Sequence, residues 1–279
     1  MTTNLETLSP RLRKVKYLIS ERRVADIGCD HGKLVYDLFL NGMIDYAFVS
    51  DISEPSLSKA VKLLSSKGYN FDYAVADGLG GIKPEHDIKQ AVIAGMGGLE
   101  IIKILSANNT NVKKFVLQPQ NNELKLKKYL IKNGYQILTD TIVRERHMFY
   151  NIMAVEKTDK RQKLSEFELR FGESNFAGNM DFLEYLNYLN VKYTAMLKTM
   201  PTFKKLKVKK ELNYVKKAYK KWGKIYEYDK KNFSEYPNFT YNHASLRLSE
   251  PGQRNPCSRR EKFRKQSGIG FAKRIFELL

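Results

Sequence analysis

The sequence predicts an α/β protein: a doubly wound, mostly parallel sheet closed by an antiparallel pair, followed by an antiparallel helical hairpin. Three observations carry this expectation. Short apolar runs alternate with helical patterns through the first half of the chain. After Gly134 two strand-like runs follow one another with no helix between them. Beyond residue 180, two apolar stripes at heptad spacing flank Pro201.

The elements follow in order. Residues 5–19 carry Leu8, Leu12, Val15, Leu18 and Ile19 on one helical face. Strand-like runs come next at Val24–Ile27, Tyr46–Val49, Phe71–Ala76, Ala91–Ala94 and Phe115–Leu117. Between them lie helical patterns near Leu34–Leu40, Pro55–Lys67, Leu99–Leu105 and Glu123–Lys132. Strands this apolar, alternating with helices, belong in a parallel sheet covered on both faces. Gln136–Val143 and Tyr150–Val155, joined by the charged link RERHMF, predict the terminal antiparallel pair. We therefore expect a cofactor-binding catalytic domain over residues 1–158.

Phe182, Leu186, Leu189, Tyr193, Met196 and Met200 are spaced 4-3-4-3-4. After Pro201 and Thr202, the series Val208, Leu212, Val215, Tyr219, Trp222 and Tyr226 repeats that spacing. Paired stripes of equal length predict a coiled-coil-like hairpin within 159–236, its aromatic residues serving as seam. From Pro237 the periodicity dissolves into turn formers and charges, so 237–279 is expected to be a poorly ordered basic tail.

The chain has 279 residues and a net charge of +19. Residues 1–158 hold 22 basic and 17 acidic side chains, whereas 159–279 hold 27 and 13. The excess in the second half suits a polyanion such as nucleic acid, although a lysine-rich solvated surface has the same composition. Two cysteines, Cys29 and Cys257, exclude a disulfide scaffold and a cysteine-rich zinc site, and no metal is expected. No run is apolar enough for a signal peptide or a membrane span, so a cytoplasmic protein is expected. Nothing in the sequence sets the oligomeric state.

The stretch RVADIGCDHGKL runs from strand to glycine loop to helix, the arrangement that holds a nucleoside cofactor in doubly wound sheets. Asp30 stands where the dinucleotide fingerprint has its second glycine, and a carboxylate there repels pyrophosphate. A cationic, phosphate-free cofactor such as S-adenosylmethionine suits it better. Asp26, Gly28, Cys29, Asp30 and Gly32 form this first turn. Asp51, followed by Ile52 and 23 residues after Gly28, ends the next strand where a carboxylate can accept from ribose hydroxyls. Asp77, with Gly78 and Leu79, follows the third strand, where an adenine amino group could donate to it. Ala94, Gly95, Met96 and Gly97 form a glycine-rich turn that permits close approach. Each of Asp26, Asp51 and Asp77 alone could instead cap a helix or turn.

LSPRLRKVKYLI, ADIGCDHGKL, IAGMGG and LQPQ, in this order, resemble the TrmK family of bacterial tRNA (adenine-22-N1)-methyltransferases. The resemblance covers 1–158 and extends into the hairpin. It implies a Rossmann-like class I methyltransferase domain, S-adenosylmethionine as cofactor, transfer to N1 of an adenine in tRNA, and a coiled coil that helps hold the RNA. The family's fifth strand ends Gln-Pro-Asn. Here Gln118-Pro119-Gln120 is followed by Asn121, leaving open which amide faces the target base.

Neutral adenine N1 has an in-plane lone pair, so transfer demands positioning and extraction of the base rather than a general base. Asp30 or His31 can accept the proton later lost from N6 or stabilise the positive charge; His31 at a helix start can equally point at the backbone. Arg11 and Arg13 on the first helix, with hairpin lysines such as Lys209 and Lys216, could form two RNA arms. Other readings are a methyltransferase for another RNA or a protein, an NAD-dependent oxidoreductase, and a non-catalytic nucleic-acid-binding protein. Asp30 argues against NAD, and the intact acid and glycine set argues against a lost activity.

Overall fold

The computed structural model describes residues 8–232, with side chains to residue 224. The expected tail, 237–279, lies outside the described residues. Seven strands form one sheet in the order β3-β2-β1-β4-β5-β7-β6. They are β1 (Arg23–Ile27), β2 (Tyr46–Asp51), β3 (Phe71–Val75), β4 (Gln90–Met96), β5 (Lys114–Pro119), β6 (Tyr135–Glu145) and β7 (Met148–Lys157). The first five are mutually parallel, and β7 runs antiparallel between β5 and β6.

The central strands are buried on both faces, which is why they read as unbroken apolar runs. One face packs against α1 (Pro10–Tyr17), α2 (Lys33–Leu40) and α3 (Glu54–Ser65) through Val15, Leu34, Leu38, Leu57 and Leu64. The other packs against α4 (Gly98–Ser106) and α5 (Glu123–Lys132) through Ile101, Ile104, Leu126 and Leu130. Helix α1 is shorter than its apolar pattern, because Ser9 caps it and Pro10 occupies its first position.

The link RERHMF corrects the expectation. Arg144 pairs with Phe149 and Glu145 with Met148, leaving only Arg146–His147 as the turn. Charged residues sit comfortably there because residues 144–149, at the tip of the strand pair, are all exposed or only half-buried. Residues 159–179 are also more than an approach to the hairpin. Helix α6 (Glu166–Phe171) packs against α5, and a 3-10 turn at Glu173–Phe176 docks on the edge strand β6.

That edge is closed by side-chain amides instead of another strand. Gln162 exchanges hydrogen bonds with Ile137, accepting from its N–H at 2.8 Å. Buried Asn175 accepts from Ile142 N–H at 2.8 Å and donates to the carbonyls of Asp140 and Phe171. Asn179 donates to the Ile142 carbonyl. An edge so capped offers no free ladder for aggregation.

The hairpin is α7 (Met180–Thr199) and α8 (Thr202–Asn232). Phe182, Leu186 and Leu189 face Val208, Val215, Tyr219 and Trp222 as buried seam residues. The seam opens towards Pro201, where Met196, Phe203 and Leu206 are exposed. No helix among the described residues is long and apolar enough to cross a membrane.

Candidate functional site at the carboxyl edge of the sheet

Parallel register brings the strand ends level. Ile27 lies beside Ser50 and Ile93, and Asp51 lies beside Val75. The acids that are scattered in sequence therefore share one edge, with adjacent strands about 4.8 Å apart. Asp26 is buried at the end of β1. Asp30 adopts a left-handed φ of 48°, and its N–H donates to Asp51 Oδ2 at 3.1 Å. Asp51 Oδ1 accepts from Ser53 N–H at 2.8 Å. Each Asp51 oxygen thus accepts one protein hydrogen bond and keeps capacity for another.

Burial, with Asp51 and Asp30 close by, pushes the Asp26 carboxyl up to about 7. Burial and the same carboxylates push the Cys29 thiol far up, so it is a neutral packing group and not a nucleophile. His31 lies between Asp30 and Lys59: its Nδ1 is 3.5 Å from Asp30 Oδ2, and its Nε2 is 3.1 Å from Lys59 Nζ. Gly32 takes a left-handed conformation at the start of α2.

The remaining predicted residues divide. Ile52 is 74% exposed beside Asp51, presenting an apolar surface at the rim. Asp77 is exposed and paired with Lys103 at 2.8 Å. Leu79 is core, packed with Phe48 and Ile104, and Gly78 is buried. Ala94, Gly95, Met96 and Gly97 end β4 and lead into α4. A Cβ on the following Gly98 would stand 2.6 Å from the Asn121 carbonyl, so only glycine lets the β4 and β5 loops touch there.

Arg11 joins this edge. Its Nη1 donates to Gln118 Oε1 at 2.6 Å, its backbone N–H donates to Glu145, and its guanidinium lies 5.2 Å from the Tyr150 ring centroid. Gln118 Oε1 also accepts from Gly95 N–H at 3.1 Å, and Gln118 Nε2 donates to the Pro119 carbonyl. Of the amides left open as partners for the target base, Gln118 is fully buried and engaged. Pro119 is buried as well, whereas Gln120 and Asn121 are exposed. Arg13 is exposed on α1, and Lys209 and Lys216 are exposed on α8. Sequence reasoning missed Tyr150 and Glu145. Only the antiparallel register that sets Tyr150 opposite Val143 carries them to α1.

The three carboxylates Asp26, Asp30 and Asp51 suit a ligand with positive charge and ribose hydroxyls, and they oppose a pyrophosphate. Among the described residues no cluster could hold a metal ion. Comparison with known proteins agrees with this chemistry. Residues 24–224 match the family model of TrmK, tRNA (adenine(22)-N(1))-methyltransferase. A Mycoplasma pneumoniae protein named as a candidate tRNA methyltransferase is 38% identical over 177 residues, covering 62% of this chain and 82% of that protein. The structure of M. capricolum TrmK with S-adenosylhomocysteine aligns with a TM-score of 0.68 and 25% identity, over 76% of this chain and 97% of that one. A Streptococcus pneumoniae candidate tRNA (m1A22) methyltransferase, solved with S-adenosyl-L-methionine, aligns with a TM-score of 0.67 and 27% identity, over 76% and 99%.

Proposed function

The chain belongs to the TrmK family of tRNA (adenine(22)-N(1))-methyltransferases, and from that premise we propose how its residues divide the work of methylating N1 of adenine 22 in tRNA. The observation that carries the assignment is the acid cluster at the ends of β1 and β2, set beside an acceptor half built from β4, β5 and β7.

S-adenosylmethionine supplies the methyl group, carried on a sulfonium. Asp51 would accept from the ribose hydroxyls with its remaining lone pairs. Asp26 and Asp30 provide the negative potential that favours a cation. Ile52 would cover one face of the adenine, and the backbone of Gly28–Gly32 and Ala94–Gly97 would allow close approach; Asp77, once released from Lys103, would accept from the adenine amino group. On the acceptor side the N1 lone pair of the flipped adenine attacks the methyl carbon while the carbon–sulfur bond breaks. The methylated ring is a cation and loses an N6 proton afterwards, which Asp30 or His31 can take. No residue need remove a proton before transfer, so the dominant demand is orientation.

The exposed lysines of α8, including Lys209 and Lys216, with Arg13, would hold the RNA backbone. Helix α7 places Tyr185 and Tyr188 against Phe149, next to the β6–β7 turn at the carboxyl edge. From Tyr188 to Thr199 it advances about a further 17 Å. That direction would carry the basic start of α8 beyond the same edge as the acid cluster.

The test is incubation with bulk tRNA and methyl-labelled cofactor, followed by nucleoside mass spectrometry and mapping of the modified position. 1-methyladenosine at position 22 is expected. Label in another nucleoside, or in protein, rejects the acceptor assignment.

A further inference from the structure

We propose that Arg11, backed by the Tyr150 ring and locked by Gln118, is the stacking platform for the target adenine, and that Gln118 is a positioning residue which does not touch the base. This rests on the methyl-transfer reading and names how the acceptor is held.

The geometry divides the carboxyl edge at the topological switch between β1 and β4. The acids occupy the half built from β1, β2 and β3. Arg11 occupies the other half, over Gly95, Gln118 and Tyr150. A Cβ on Gly95 would lie 3.7 Å from Arg11 Nη1, so the guanidinium rests directly over the end of β4. Gly95 has φ +81°, a conformation that excludes most other residues at this point.

Two contacts fix the guanidinium and a third fixes its backbone. Gln118 Oε1 accepts from Nη1, Tyr150 lies against it as a cation–π partner, and Glu145 holds the backbone of Arg11. Arg11 Nε is buried without a hydrogen-bond partner among the described residues. A phosphate contact on a surface helix needs no such bracing, since a mobile lysine serves as well. Unstacked RNA bases, by contrast, are commonly received on aromatic rings or guanidinium planes. A plane held rigidly beside the cofactor half is what in-line attack by N1 requires.

Gln118 shows the complementary logic. Both lone pairs of its Oε1 are taken, one by Arg11 and one by Gly95 N–H, and one Nε2 donor goes to Pro119. It joins Arg11 to the irregularity in β4 at Ala94–Met96. Base-edge hydrogen bonding then falls to the exposed Gln120 and Asn121. The positive charge of Arg11 also acts after transfer. Stacking tolerates neutral adenine, whereas the methylated cation is repelled, favouring N6 deprotonation and release.

The experiment compares steady-state methylation of tRNA by wild type, Arg11→Lys, Tyr150→Phe, Tyr150→Leu, Gln118→Leu and the Arg11→Lys/Gln118→Leu double variant, with S-adenosylmethionine affinity measured in parallel. Arg11→Lys should lower kcat about 10- to 100-fold, the range of one lost base stack, with KM for tRNA changed less than about threefold. Tyr150→Leu should behave likewise, and Tyr150→Phe should stay near wild type. Gln118 acts through Arg11, so the double variant should be no slower than Arg11→Lys alone. Should Gln118→Leu not fold, Gln118→Glu, which keeps an acceptor for Arg11 and Gly95 but loses the amide donor, should stay near wild-type kcat, and a large loss there would make the amide a direct base contact. Wild-type kcat in Arg11→Lys would overturn the platform. Additive losses in the double variant would make Gln118 a direct base contact and overturn its positioning role. A wild-type enzyme that forms no 1-methyladenosine fails at the functional reading itself and takes this proposal with it.

Discussion

Asp26 ties cofactor affinity to pH in a way that can be worked out in advance. Its carboxyl is 5% exposed, and burial together with Asp51 and Asp30 raises its pKa to about 7. A cationic cofactor favours the carboxylate, so binding expels the proton. The apparent dissociation constant is then multiplied by one plus the ratio of proton concentration to the acid constant. That factor is about 11 at pH 6.0 and about 1.3 at pH 7.5, so affinity for S-adenosylmethionine should tighten about eightfold between them. The sign follows from proton competition: affinity rises with pH and levels off above 7. The Cys29 thiol, pushed far up by burial, stays neutral across the range. Isothermal titration between pH 6.0 and 7.5, in two buffers of different ionisation enthalpy, measures both the affinity and the released proton. Asp26→Asn should bind more weakly at pH 7.5 and lose the slope, and His31→Gln should keep it. A wild-type affinity unchanged over this range, or an undiminished slope in Asp26→Asn, would refute the reasoning.

The same shift has a consequence for the protein without cofactor. The folded chain retains a proton that an ordinary carboxyl releases near 3.8, so thermal stability should decline as pH rises from about 4 through 7, and Asp26→Asn should flatten that decline. Asp51→Ala removes the acceptor of Asp30 N–H and the expected ribose partner; cofactor affinity should fall about 10- to 100-fold, and an unchanged value would misplace the site. Lys127 and Asp140 form a buried ion pair at 2.7 Å, with side chains 2% and 7% exposed. Lys127→Ala strands the carboxylate and should cost about 3–5 kcal/mol by urea denaturation, with Lys127→Met/Asp140→Leu recovering much of it. Asn175→Ala opens the β6 edge and should cost about 2–4 kcal/mol, lowering the melting temperature by about 5–15 °C. Affinity for tRNA should fall steeply between low and moderate salt, and a flat response would remove the lysines of α8 from the RNA interface.

What the amino-acid sequence determined is what repeats locally. Val24–Ile27 and Phe115–Leu117 announce strands because a parallel sheet buries both faces, leaving no polar position to interrupt the run. An acid or glycine at the end of a parallel strand is bound to lie on the carboxyl edge, so Asp26, Asp51 and Gly95 could be placed before any coordinates existed. The heptad stripes of α7 and α8 were legible for the same reason. Only the tertiary structure decided which polar groups meet. The sequence left open whether Gln118, Gln120 or Asn121 faces the base, and β5 turns Gln118 inward onto Arg11 and Gly95. Lys127 sits among exposed lysines on α5, and nothing in its neighbours betrays that β6 brings Asp140 to its ammonium. Tyr150 reaches Arg11, and Asn175 reaches Ile142, through antiparallel register and helix docking. Periodicity records which face of an element is dry; hydrogen-bond and charge partners depend on how separate elements are set against each other, and a one-residue slip in β6 or β7 would exchange them all.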